Sequence, residues 1–270
     1  MATTPDFFAP TTPRARDDAA VDQRFAATMA IAMAVVVVAG FSTQFLAGRS
    51  TFASPVRVHI HAVVFIGWVA IFVAQAWLAT RGPLRLHRQL GWLAVGWMVV
   101  MVGAALAVMV AVVRQGTAPF FFQPQEFLIA NPLALLGFVG LTGAAVAMRR
   151  RTDWHARLHI CGMTMIMGPA FGRMLPMPLL IPYAFEAAGV ASALFPIAGM
   201  IRDRRHLGSV HPAWWCGLGV LAVVLIAPNY LAATPFGDWL YATAVAASPG
   251  EAVPGLAFAP PPAGPLLTGR

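Results

Sequence analysis

Seven long apolar runs, separated by short polar stretches that carry most of the arginines, dominate the chain. They fall at about 26–47, 59–80, 91–113, 131–148, 159–175, 181–201 and 213–233, each near the ~20 residues that cross about 30 Å of hydrocarbon. Each is predicted to be helical, because backbone facing lipid must satisfy its own hydrogen bonds. The fifth is the shortest, and Pro176, Pro178 and Pro182 behind it cannot continue an unbroken helix. The pattern predicts an all-α, polytopic integral membrane helical bundle of seven transmembrane helices over residues 25–233. Residues 1–24 read as a polar cytoplasmic tail with no apolar core of their own, and not as a cleavable signal peptide. Residues 234–270, rich in Pro, Gly and Ala, read as a short interfacial piece near Trp239 and Tyr241 followed by a disordered tail.

Composition agrees with lipid as the solvent. Hydrophobic residues make up 59% and charged residues 10%, where a soluble domain carries about a quarter charged residues. A soluble enzyme, a disordered chain and a disulfide-stapled module are excluded, the last because only Cys161 and Cys216 are present. The net charge of +8 comes from 18 arginines and no lysine. These arginines sit in clusters between apolar runs with no nucleic-acid motif, so the charge reads as topology and nucleic acid is not an expected partner. Thirteen lie on one side of the predicted bundle, among them Arg81, Arg85, Arg88, Arg149, Arg150, Arg151, Arg202, Arg204 and Arg205; Arg49, Arg57, Arg114 and Arg270 lie on the other, and Arg173 falls inside a span. The N-terminus is therefore expected in the cytoplasm and the C-terminus outside. Most tryptophans fall near span ends, as interfacial anchors do. Segment 114–130, with Phe120, Phe121 and Phe122, is expected to be the longest loop, on the outer side and in part interfacial.

An internal repeat is visible. The turn Leu86-His87-Arg88-Gln89-Leu90-Gly91 joins spans two and three, and Trp154-His155-Ala156-Arg157-Leu158-His159 joins spans four and five. An offset of 68 superposes His87 on His155, and with a slip of two residues His61 falls on Asn131. Either a duplicated hairpin or two independent arginine-rich turns produces this. A duplication predicts a four-helix core over 59–175, with spans one, six and seven at its edge.

Ionisable groups inside spans are costly in hydrocarbon, so each is a candidate site. On the cytoplasmic side, His87, His155 and His159 form the candidate cofactor- and metal-binding group. His155 and His159 are four apart and share a helix face, which suits chelation, while His159 could face His87 as an axial haem ligand. The plain alternative is three interfacial histidines bonded to headgroups, backbone carbonyls or Asp153. HxxxH without a catalytic Glu lacks a metallohydrolase's general base. On the outer side, His61, Asn131, Arg173 and Glu186 form the candidate ligand-binding group. Arg173 and Glu186 flank a proline-rich turn, which predicts either an ion pair or a site for an anionic ligand. The Met163–Met167 stretch reads as adaptable core, not a copper site.

The runs His59-Ile60-His61, Leu86 to Gly91, Arg151 to Leu158, and Pro169-Ala170-Phe171-Gly172-Arg173 resemble a group of bacterial multi-pass predicted membrane proteins of unknown function. That family places a His-Arg-x-Leu-Gly turn before one span, an Asp-x-His-x-Arg-x-Met turn before another, and an arginine late in the latter; here His159 stands where the Met is expected. The resemblance spans roughly residues 55–176 and implies a four-helix core in a bacterial inner membrane, without an activity. A remoter likeness to transmembrane b-type cytochromes rests on helical hairpins with histidines near their ends. No catalytic residue or enzymatic activity is assigned. Three functions stay open: a haem-binding or redox membrane protein, with b-type haem as the cofactor; a carrier or binding protein for a small apolar or anionic ligand; and a non-catalytic assembly subunit with a membrane protein partner. The lipid bilayer is the common partner of all three.

Overall fold

A computed structural model describes residues 13–262 and 264, with side chains from residue 21 onward. The described chain is helical and contains no sheet: α1 (Pro13–Leu46), α2 (Val56–Arg81), α3 (Leu84–Arg114), α4 (Pro124–Ala147), α5 (Thr152–Met165), α6 (Gly168–Met174), α7 (Ala184–Ser192), α8 (Leu194–Leu207), α9 (Pro212–Ala232) and α10 (Pro235–Val245). Six stretches are long and apolar enough to cross a membrane: Val21–Leu46, α2, α3, α4, α7 with α8, and α9. Their outward faces carry Val35, Val38, Val63, Val99 and Val223, each 59–69% exposed, which is the surface of a multi-pass membrane protein and would be a liability in water.

The fifth expected span differs from the rest. It is two helices, α5 of 14 residues and α6 of 7, parted at Ile166 and Met167. Pro169 explains the break: it has no N–H to give, and its ring would collide with the carbonyl four residues back. Pro196 similarly follows the small kink at Ala193 between α7 and α8.

Chain ends are set by recognisable residues. Gly82 and Pro83, both extended, stop α2 and start α3. α8 closes on Gly208 at φ +75°, a left-handed cap that favours glycine, with Arg204, Arg205 and His206 in its last turn where cations complement the helix dipole. His211 caps α9 by accepting from the Ala213 N–H, with Pro212 in the first turn.

Helices α2 and α3 pack as one hairpin and α4 and α5 as another; α9 lies along α4 and α5, and α1 along α2 and α6. The main core takes Trp68, Met98, Met101, Phe138 and Leu158 from the two hairpins, and also Met33 from α1 and Trp214 and Leu221 from α9. Spans one and seven are thus built into the core and not laid at its edge. Close approach makes this possible. A Cβ on Gly40 of α1 would stand 2.4 Å from the Ala170 carbonyl oxygen of α6, and one on Gly217 of α9 would stand 2.3 Å from Cys161 Sγ of α5.

Two loop expectations are corrected. α4 begins at Pro124, seven residues earlier than the apolar run, so Gln125 and Glu126 are helical and buried. Gln125 is held by the chain beyond α9: its Nε2 donates to the Ala232 carbonyl (2.6 Å) and to Asp238 Oδ1 (2.9 Å), and its backbone N–H to the Gly255 carbonyl (2.9 Å). Beyond α10 the chain as far as Leu256 is tied back onto the start of α4 by such contacts. Gln123 donates to the Leu256 carbonyl, and the Tyr241 hydroxyl to the Val253 carbonyl, with burial raising the Tyr241 phenol's pKa. The three phenylalanines avoid water by packing edge to face on one another, and Phe122 also on Phe185.

Candidate functional site

Two polar clusters share the end of the bundle that carries the arginine-rich turns. One is an ion-pair network. Arg157 on α5 grips Asp203 on α8 through Nε and Nη2, both at 2.8 Å, and reaches Asp22 on α1 at 3.1 Å. Arg202 also bonds both aspartates, and the indole N–H of Trp214 on α9 donates to Asp203 Oδ2 at 2.7 Å. Four helices meet at two carboxylates and two guanidinium groups, so the charges cancel and Asp203, fully buried, is fully bonded. Nearby, His211 pairs with Asp153 at 3.1 Å.

The other cluster is the predicted histidine group, which the fold brings together. The His87 ring on α3 stands near the His155 ring on α5, nearly perpendicular to it at 6.3 Å between centroids, and His159 stands edge-on to His155 at 4.6 Å. His87 Nδ1 bonds the Gln75 carbonyl at 3.3 Å and His155 Nδ1 bonds the Ala145 carbonyl at 2.8 Å. Each histidine is thus clasped to the preceding helix of its own hairpin. The offset of 68 that carries His87 onto His155, with the same slip of two residues, carries Gln75 onto Ala145. Neither Nε2 has a bonding partner among the described residues, and both rings are half-buried. Among the described residues no group of three or more His, Cys, Asp or Glu side chains is disposed to hold a metal ion, so the third imidazole does not complete a three-ligand site.

The predicted outer group does not form one pocket. Arg173 makes no ion pair with Glu186. Its guanidinium lies 4.1 Å over the Phe41 ring of α1 and donates to the Pro169 carbonyl at 2.7 Å. His61 is within its electrostatic reach, stacked on Phe65 at 4.3 Å and set against the Ala104 carbonyl of α3. Glu186 turns instead toward α9 and α4: Asn229 donates to its Oε1 at 2.8 Å, and its charge acts on Glu126. Asn131 bonds only the carbonyl of Phe127, one turn back. The proline-rich turn returns α7 beside α6, but side-chain direction sends the two charges to different neighbours.

Sequence reasoning missed Asp22, Asp203, Glu126 and Asn229, and it read Trp214 as an interfacial anchor although the side chain is fully buried. The one available signal was Asp203 itself, a lone acid inside the run Arg202–Arg205. Comparison of the chain with protein-family models, curated proteins and solved structures gives no match, so the reading of these clusters rests on their own geometry.

Proposed function

We propose that this is a membrane protein of seven crossings, with its N-terminus in the cytoplasm of a bacterial cell, whose His87 and His155 would hold a metal centre, as in a haem or redox protein. The broken helix supplies the seventh crossing. Arg157 pairs with Asp22 and Arg173 stacks on Phe41, two points nineteen residues apart on α1, about 28 Å at 1.5 Å per residue. α5 and α6 together therefore cover the thickness of a hydrocarbon core. Labelling of single cysteines in the turns at Arg85 and Arg151 tests this: both are expected on the cytoplasmic side, and labelling from opposite sides would refute it.

The observation that carries the metal reading is the repeated clasp. A metal-binding histidine commonly hydrogen-bonds its second ring nitrogen to a carbonyl or carboxylate, which fixes the tautomer and aims the free nitrogen. His87 and His155 both have that arrangement, each ring Nδ1–H donating to a carbonyl at an equivalent point of its hairpin. The two ring centres lie 6.3 Å apart, near enough for His87 and His155 to hold one group between them. The proposed pair is His87 with His155, where helical spacing alone set His159 opposite His87. A centre that needs two protein ligands suits b-type haem, whose macrocycle fills the other positions, better than zinc, which needs three or four. When bound, such a group supplies one-electron transfer; the chain's part is to fix two ring planes through Gln75 and Ala145.

The two clasped hairpins also support the duplication, as parallel repeats about an axis along the membrane normal with the histidine pair near that axis. Haemin titration of the purified protein, followed by absorption, is the direct test. A bis-histidine spectrum that is lost in His87→Ala and in His155→Ala is expected, and an unchanged spectrum of free haemin would end the proposal.

A further inference from the structure

We propose that Arg173 and His61 form an oxyanion site between α1, α2, α3 and α6, at the end of the bundle away from the arginine-rich turns, and that its ligand is a phosphate group. An arginine within a membrane bundle normally meets a carboxylate, because an uncompensated guanidinium in low dielectric is costly. Arg173 has no ion pair among the described residues, and Glu186, the nearest acid in sequence, turns away from it and accepts from Asn229 through Oε1. Of the five N–H donors of the guanidinium, one hydrogen bond is made, to Pro169.

The second observation is on a different helix. His61 Nδ1 is buried with no hydrogen-bond partner among the described residues, so this ring nitrogen is free to meet a ligand. The two residues are held in place rather than floppy. Phe41 supports the flat face of the guanidinium, leaving its N–H edge as the free surface, and Phe65 supports the imidazole. The tight crossing of Gly40 on Ala170 fixes α1 against α6 one turn away, and buried Gln44, four residues on from Gly40, shares that face of α1. A guanidinium edge matches two phosphate oxygens, and His61, with its other nitrogen set against the Ala104 carbonyl, donates through Nδ1 in the imidazolium form that a bound anion favours. Arg173 is the penultimate residue of α6, so the site lies toward the far end of the broken helix from the arginine-rich turns. The phosphate could belong to a lipid or be free in solution.

The test is thermal unfolding of the full chain in an uncharged detergent, with phosphatidylglycerol, with a diacylglycerol of the same chains, or with inorganic phosphate. The wild type is expected to gain about 3 °C or more with a phosphate-bearing ligand and not with the diacylglycerol. A gain with phosphatidylglycerol alone identifies a lipid headgroup, and a gain with inorganic phosphate as well identifies a free anion. Arg173→Gln and His61→Phe should each abolish the gain. If Arg173→Gln fails to fold, His61→Phe decides, since it keeps the aromatic stack on Phe65 and removes only the polar ring atoms. No gain in the wild type, a gain equal to the diacylglycerol's, or an undiminished gain in His61→Phe would overturn the proposal.

Discussion

His155 and Arg157 are two residues apart on α5 and therefore point to opposite flanks of it. On Arg157's flank every charge is answered: Asp203 is bonded by two arginines and a tryptophan, Asp22 by the same two arginines, and the helices that supply them are α1, α5, α8 and α9. On the histidine flank each clasped ring is answered at one nitrogen and open at the other. Both flanks lie at the same end of the bundle, and Arg157 and Asp203 are buried where His87 and His155 are half-buried, but burial alone does not decide which flank can take a ligand. Saturation does. A network with no free valence has nothing left to offer a ligand and acts by tying helices together, whereas a pair of oriented rings with free nitrogens has orientation without a partner. Arg173, at the far end of the same broken helix, falls on the open side of this division.

The division can be broken by mutation, and the expected losses of stability fall in order. Asp203→Ala leaves Arg157 and Arg202 short of a buried partner and should cost about 3–5 kcal/mol, read as a large drop in thermal or denaturant unfolding midpoint. A wild-type midpoint would show that the network is not the clamp. Gly199→Ala comes next: its Cβ would stand 2.3 Å from the Trp214 ring, so overpacking of the network's tryptophan wall should cost about 1–3 kcal/mol by the same assay. Arg173→Gln loses a cation–π contact and one hydrogen bond, and about 0.5–2 kcal/mol is expected. His155→Ala should be mildest, about 0.5–1.5 kcal/mol for one hydrogen bond to a carbonyl, while removing metal binding altogether. If His155→Ala proves as damaging as Asp203→Ala, the two flanks are not different in kind.

Much of the bundle was legible in the sequence because lipid admits only long apolar helices, and six of the seven runs appear as such. The split of the fifth was only half legible: attention fell on Pro176, Pro178 and Pro182 behind it, while Pro169 within it makes the break. The start of α4 was hidden because Gln125 and Glu126 look like loop residues until their cover, the chain around Asp238 and Gly255, folds back over them. The histidine pair was foreshadowed by a repeat that placed His87 and His155 at equivalent positions. That the His155 ring is the one beside His87 was not, because helical spacing says nothing about which ring of α5 lies nearest α3. The ion network was invisible for a related reason. Its members lie as far apart as Asp22 and Arg202, and each alone reads as a surface charge on a flank of the bundle.

The most direct measurement is the absorption spectrum of the purified protein under haemin titration, taken beside the single variants His87→Ala, His155→Ala and His159→Ala. The account predicts a low-spin bis-histidine spectrum in the wild type and in His159→Ala, and its loss in each of the other two. A bis-histidine spectrum that persists without His87 or without His155, or a wild type that binds no haem, would contradict it.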